Sequence, residues 1–208
     1  MQLYHHPFSP SARRVRMAAD HLGVALDLVE TNLASPDERR RLEEINANGR
    51  VPVLVDGALV LSESCAIMQY LADRTPGQTV YPLDWAARAD VNRWMFWTCQ
   101  HFAPALGVYG WENMMKKMVT GEDADPVELA RGARDIARAA TVLDKHLATR
   151  RWLAGEAVTL ADYAAAAPLM YKEQARLPLD GYPHLLAWFA RVRDLPAWQR
   201  TTPAWQAA

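Results

Sequence analysis

The chain has 208 residues, half of them apolar or aromatic, with 23 basic against 24 acidic side chains and a formal net charge of −1. That length suits one large domain or two small ones with a sizeable core. The balanced charge gives no sustained field for nucleic acid or an anionic membrane. Arg39, Arg40 and Arg41 sit among Asp37, Glu38, Glu43 and Glu44, the pattern of a solvated helix face. The opening MQLYHHPFSP lacks a signal-peptide core, and no run approaches the ~18 to 20 apolar residues of a membrane span. A cytoplasmic protein is expected. Cys65 and Cys99 are the two cysteines, too few for a disulfide framework or thiolate cluster, so two free thiols are expected.

In chain order, 2–5 reads as a strand, 11–22 as a helix with an apolar stripe of Val15, Ala18, Ala19 and Leu22, and 25–30 as a second strand. Pro36 opens a charged helix to about 45. Two short apolar runs, 53–55 and 58–61, flank Asp56-Gly57, a two-residue signal for a type I′ hairpin. A helix follows to about Arg74, with Ser62 as the expected N-cap. The order βαβαββα implies a mixed four-stranded sheet. The stretch TPGQTVYPLD, 75–84, ends the strand signals and reads as a linker. Beyond it the pattern is helical over about 85–118, 126–149, 160–176 and 183–193, with a short turn after Pro196 and a break or kink at Pro104. Thr159 and Asp162 form a capping-box pattern, with Val158 facing Tyr163 as a hydrophobic staple. The expected domains are therefore 1–75, a linker 76–84, and an all-helical 85–208.

Residues 46–64, NANGRVPVLVDGALVLSES, combine two recognition devices. Pro52 cannot donate to a ladder, and a cis bond to Val51 would turn the Val51 backbone outward to pair with an extended ligand. At the following helix start, unpaired amides favour a carboxylate, Ser64 adds a hydroxyl, and Glu63 attracts an ammonium group. An acidic residue at such a position also serves simply to complement the helix dipole, so Glu63 alone is ambiguous.

Asn46-x-x-Gly49-x-Val51-Pro52-x-Leu54 followed by Glu63-Ser64-x-Ala66-Ile67 resembles the glutathione-binding half of cytosolic glutathione transferases, with Ala47 where that family commonly has proline. The likeness extends over nearly the whole chain. It implies an α/β thioredoxin-like N-terminal domain, an all-α C-terminal domain, and glutathione as co-substrate with no further cofactor. It also implies a homodimer. The thiol must be ionised to attack, and a hydroxyl donating to the sulfur near a helix N-terminus lowers its pKa. The loop HHPFSPSARRV resembles serine-type members, which assigns Ser9 as that donor, with Ser11 as the alternative; Ser9 also fits a plain N-cap before Pro10. Arg50 and His101 are candidates for the glycine-end carboxylate.

Trp94, Trp97 and His101 recur at helical spacing, followed by Phe102, Tyr109, Trp111, Met114 and Met115. Such a stripe usually packs a core. In the resembled family the corresponding region faces the thiol, which makes Trp97, His101, Phe102 and Tyr109, with Phe8 and Tyr171, the expected wall for a hydrophobic electrophile. Tyr4 reads as packing. His5 and His6 point to opposite strand faces without companion ligands, so no metal is expected. The activity implied is glutathione transfer to a hydrophobic electrophile. Glutathione-dependent isomerase or peroxidase chemistry, or an idle carrier or interaction protein of the same fold, are the alternatives.

Overall fold

The fold is taken from a computed structural model, which describes residues 1–203. Its packing divides into two compact units, Met1–Tyr81 together with the stretch from Asp194, and Pro82–Arg193. The boundary lies inside the expected linker. The piece from Asp194 departs from the expected 85–208 domain, because Ala197 and Trp198 bury against the first unit's leading helix rather than among the later helices.

In the first unit, β1 (Gln2–His5), α1 (Pro10–Leu22), β2 (Asp27–Glu30), α2 (Pro36–Ile45), β3 (Val53–Asp56), β4 (Leu59–Leu61) and α3 (Ser64–Asp73) follow the expected order. The sheet runs β2-β1-β3-β4. β1 pairs parallel to β2 and antiparallel to β3, with Leu3 opposite Leu28 and Leu54. Leu3, Val15, Ile67 and Leu71 are fully buried where α1 and α3 pack together on the sheet. α1 begins at Pro10, whose missing amide costs nothing there, and ends at Gly23 with φ 68°. The hairpin pairs Asp56 with Leu59, so its loop is Gly57-Ala58. Gly57 has φ 60° and Ala58 no positive φ, the II′ pattern with glycine first; Asp56 belongs to the strand, which corrects the type I′ expectation. A short α10 (Pro196–Arg200) completes the unit.

The second unit opens with α4 (Trp85–Trp97), capped by Asp84, whose Oδ1 accepts the Ala87 amide at 2.9 Å. A π-wound turn, Thr98–Phe102, joins it to α5 (Ala103–Gly110), and a second, Trp111–Met115, leads into α6 (Lys116–Thr120). Pro104 therefore does not break the helix. The Ala103 amide reaches back to the Thr98 carbonyl across the widened turn, and Pro104 falls at the start of α5, where its lack of a donor is tolerated. α8 (Leu160–Ala166), all seven residues of which are buried, packs against α4 and α9 (Pro183–Arg193), and α7 (Pro126–Leu147) packs against α5 and α9. The pattern expected as one helix to 176 instead tightens to a 3-10 turn, Ala167–Tyr171, at Pro168. Thr159 and Asp162 form the capping box. The Asp162 carboxylate also accepts from Leu153 N at 3.0 Å and Trp188 Nε1 at 2.8 Å, so one buried side chain ties three segments together.

Candidate functional site

The loop before β3 is organised by Asn46. Its Nδ2 donates to the Arg50 carbonyl at 2.8 Å, its Oδ1 accepts the Asn48 amide at 3.2 Å, and its carbonyl accepts the Gly49 amide at 2.8 Å. Gly49 completes the turn at φ 58°, where a side chain would be strained and would crowd Glu43. This loop delivers Arg50 and Val51, and the Val51–Pro52 bond is cis.

Across from it, α3 begins at Ser64 rather than after an Ser62 cap. Glu63 is the N-cap residue, with φ 66° and ψ 109° and no capping bond from its side chain. A non-glycine residue held at positive φ is uncommon and clusters at ligand sites. Its carboxylate is thereby left for other partners, while its carbonyl accepts the Ile67 amide at 2.9 Å.

A cleft of about 440 Å³ lies here, lined by Ser11, Asn46, Asn48, Arg50, Val51, Pro52, Ser62, Glu63 and Ser64. It combines one cation, one carboxylate, several amide and hydroxyl groups, and the start of α3. That set suits a zwitterionic, extended ligand. Of the expected glutathione-binding residues, Arg50, Val51, Pro52, Glu63 and Ser64 all line this cleft. Asn46, Asn48 and Ser62 were not singled out from sequence as lining residues. The Asn46-x-x-Gly49 spacing was their available signal, since asparagine folds such turns through its own side chain.

Ser9 is the N-cap of α1. Its Oγ accepts the Ala12 amide at 3.1 Å, and its own amide donates to the His6 carbonyl at 3.0 Å. Accepting that bond leaves the hydroxyl proton for donation. Ser11, at the second helical position, lines the cleft. Nearby, the Phe8 amide donates to His6 Nδ1 at 3.2 Å, and the Phe8 ring, half exposed, meets His6 edge-on at 5.2 Å. His5 is buried, and burial, with a smaller contribution from Arg16, lowers its pKa below the ordinary value of 6.5. Among the described residues no three His, Cys, Asp or Glu side chains come together as a metal group. Cys65 is half-buried and Cys99 exposed, both free thiols.

The remaining candidates belong to the helical unit. Trp97 is half-buried, and its ring lies 5.3 Å from that of the buried Trp94 and 6.1 Å from that of the exposed His101. Phe102 is fully buried and stacked on Trp97 at 5.9 Å, so it packs the interior instead of presenting a wall to a ligand. Its place inside the π-wound turn explains the difference, because the added residue rotates the side chains that follow it. Tyr109 is half-buried where α5 approaches Gly132 of α7, and Tyr171 is half-buried at the end of the 3-10 turn.

Residues 3–79 match the sequence profile of the glutathione S-transferase N-terminal domain, and 105–196 that of the C-terminal domain. Glutathione S-transferase 3 of Zea mays is 32% identical over 98% of this chain and 94% of its own length. Glutathione S-transferase theta-2 of Homo sapiens is 32% identical over 92% of this chain and 80% of its own. The solved apo structure of a glutathione S-transferase III superposes with a TM-score of 0.83 at 30% identity, covering 98% of this chain and 95% of that one. The chain belongs to the glutathione S-transferase family and is an enzyme of that class, with glutathione as its substrate. Among the described residues no helix is long and apolar enough to cross a membrane.

Proposed function

We propose that this protein ionises the thiol of glutathione at the start of α1 and directs the thiolate onto an electrophilic carbon of a hydrophobic co-substrate. The observation that carries the reading is the convergence, in one cleft, of Val51 beside a cis proline, Glu63 and Ser64 at the start of α3, and Ser11 in the first turn of α1. The peptide lies along Val51 as an added strand. Its γ-glutamyl ammonium pairs with Glu63, the adjacent carboxylate takes Ser64 and the α3 amides, and Arg50 meets the glycine-end carboxylate.

Ser9 donates its hydroxyl proton to the sulfur. The Ala12 amide bound to its oxygen polarises that hydroxyl, and the positive end of α1 adds to the stabilisation of the anion. Attack on carbon then forms the C–S bond as the leaving group departs with its electron pair, or as an activated double bond takes up the charge. Proximity and ionisation supply the rate gain, and no cofactor beyond glutathione enters. A second reading makes Ser11 the donor, favoured by its place on the cleft wall. Separate Ser9→Ala and Ser11→Ala variants decide between them: the variant that raises the pKa of bound thiol while sparing glutathione affinity marks the donor, and two silent variants remove both assignments.

In this reading the helical unit holds the electrophile through Trp97, His101, Tyr109 and Tyr171, and a panel of haloalkanes, haloarenes, enones and hydroperoxides separates transfer from isomerase or peroxidase use of the same thiolate. The working form is a cytoplasmic homodimer. The apolar side chains of α4 that stay exposed, Trp85 and Phe96, support a second copy covering them. A monomeric mass at micromolar concentration contradicts that assembly.

A further inference from the structure

We propose that Arg13 is a positioning residue for thiol activation, and that segment 194–203 clamps it from behind. The inference rests on the reading of the α1 start as the thiolate site. Arg13 is the fourth residue of α1, and its amide donates to the Ser9 carbonyl at 2.9 Å, one residue after the Ala12 amide that holds Ser9 Oγ. Its side chain is only 1% exposed. The guanidinium lies 3.8 Å over the Trp198 ring, and Nη2 donates to the Trp198 carbonyl at 3.2 Å and to Thr202 Oγ1 at 3.0 Å.

The clamp is itself braced. Thr202 Oγ1 donates to the same Trp198 carbonyl at 2.9 Å, and Thr201 Oγ1 to the Ala197 carbonyl at 2.7 Å. Trp198 and Ala197 are buried. At the far end of α1, Arg200 forks onto Asp20 at 2.7 and 2.8 Å, but both groups meet water and such a pair holds weakly. The firm attachment is thus made at the turn that bears Ser9 and Ser11. A planar, stacked, forked cation fixes direction as well as distance, which lysine does not reproduce. Hydroxyls that must meet a sulfur within a fraction of an ångström need such support from behind.

The test uses the full chain and compares wild type with Arg13→Lys, Trp198→Ala, Trp198→Phe and Thr202→Val, reading melting temperature, KM for glutathione, and the pH profile of kcat with a chloronitroarene. Arg13→Lys and Trp198→Ala should keep KM within about twofold yet raise the apparent thiol pKa by about half a unit, lowering kcat about threefold on the acid limb. Trp198→Phe, which keeps a ring face, should shift the profile less than Trp198→Ala. Variants that melt lower but retain the wild-type profile make Arg13 a packing residue and overturn the proposal. Should Arg13→Lys fail to fold, Thr202→Val, which removes only the two hydrogen bonds of Thr202 Oγ1, to Arg13 and to the Trp198 carbonyl, carries the same readout, and an unshifted profile there overturns it equally. Wild-type protein that binds glutathione without ionising it overturns the underlying reading, and the proposal with it.

Discussion

Arg14 Nη1 donates to Cys65 Sγ at 3.6 Å, joining α1 to α3 within a turn of both helix starts that face the cleft. Arg14 is 3% exposed and Cys65 half-buried, so the contact is largely but not wholly shielded from water. The two anion-favouring ends are therefore held in fixed relation by groups that do not line the cleft. Arg14→Ala should weaken glutathione binding as well as stability, with a loss of about 2 kcal/mol or more from the vacated site. Titration calorimetry and chemical denaturation of the same variant measure the two effects, and unchanged affinity in a folded variant would separate the helices' spacing from ligand binding.

Asp162 should dominate the stability of the helical unit. Replacing it with Ala strands the Leu153 and Thr159 amides and the Trp188 indole, all buried donors, and should cost about 3 kcal/mol or more. Burial holds the Asp162 carboxyl above its ordinary range even though four hydrogen bonds pull the other way. Urea denaturation checks the loss; a cost below about 1 kcal/mol would mean that the donors find other acceptors.

The close approach of α5 to α7 at Gly132 makes a second stability prediction. A Cβ there would sit 2.9 Å from Val108 Cγ1 and 3.1 Å from Tyr109 Cδ2. Gly132→Ala gains helix propensity but forces the two helices apart, for a net cost of about 1 to 3 kcal/mol. A thermal melt equal to or above wild type would show that the interface yields without penalty.

Acidification should destabilise the fold through its desolvated histidines. Burial lowers the pKa of His146 below the ordinary 6.5, and His5 and His21 shift the same way. Below that value the unfolded chain binds protons that the folded chain refuses, so stability falls as pH drops from about 6.5 through the lowered folded values. His146→Gln, which keeps a donor for the Leu153 carbonyl that lies 2.9 Å from His146 Nε2, should flatten part of this slope. Denaturation midpoints between pH 7 and 5 provide the check, and a slope unchanged in the variant would assign the effect to the other two histidines.

Much of this was legible in sequence because local chemistry and tertiary role agree. Pro10 and Gly23 bound α1 as their backbone preferences dictate, and Thr159 with Asp162 announces the start of α8. The hairpin's position was clear from its apolar runs, but its turn type depended on a one-residue register that the runs do not specify. Pro104 marked where regular α winding is interrupted but not the form of the interruption: a proline signals a missing donor, and the π-wound turn that accommodates it has no distinctive sequence pattern. In the site, Val51, Pro52, Glu63 and Ser64 could be read because each has a specific electrostatic or backbone reason to be there. Asn46 as loop organiser was signalled only by its spacing to Gly49, and Arg13 as anchor had no signal, since its partners lie in a distant segment that periodicity does not bring together.

The most direct measurement is the ultraviolet thiolate absorbance of glutathione bound to the wild-type protein, followed across pH and repeated with Ser9→Ala and Ser11→Ala. The account predicts that bound thiol ionises well below the ~8.5 of a free cysteine thiol, and that Ser9→Ala returns it toward that value with binding retained. Saturated protein whose bound glutathione titrates as it does in free solution would contradict it.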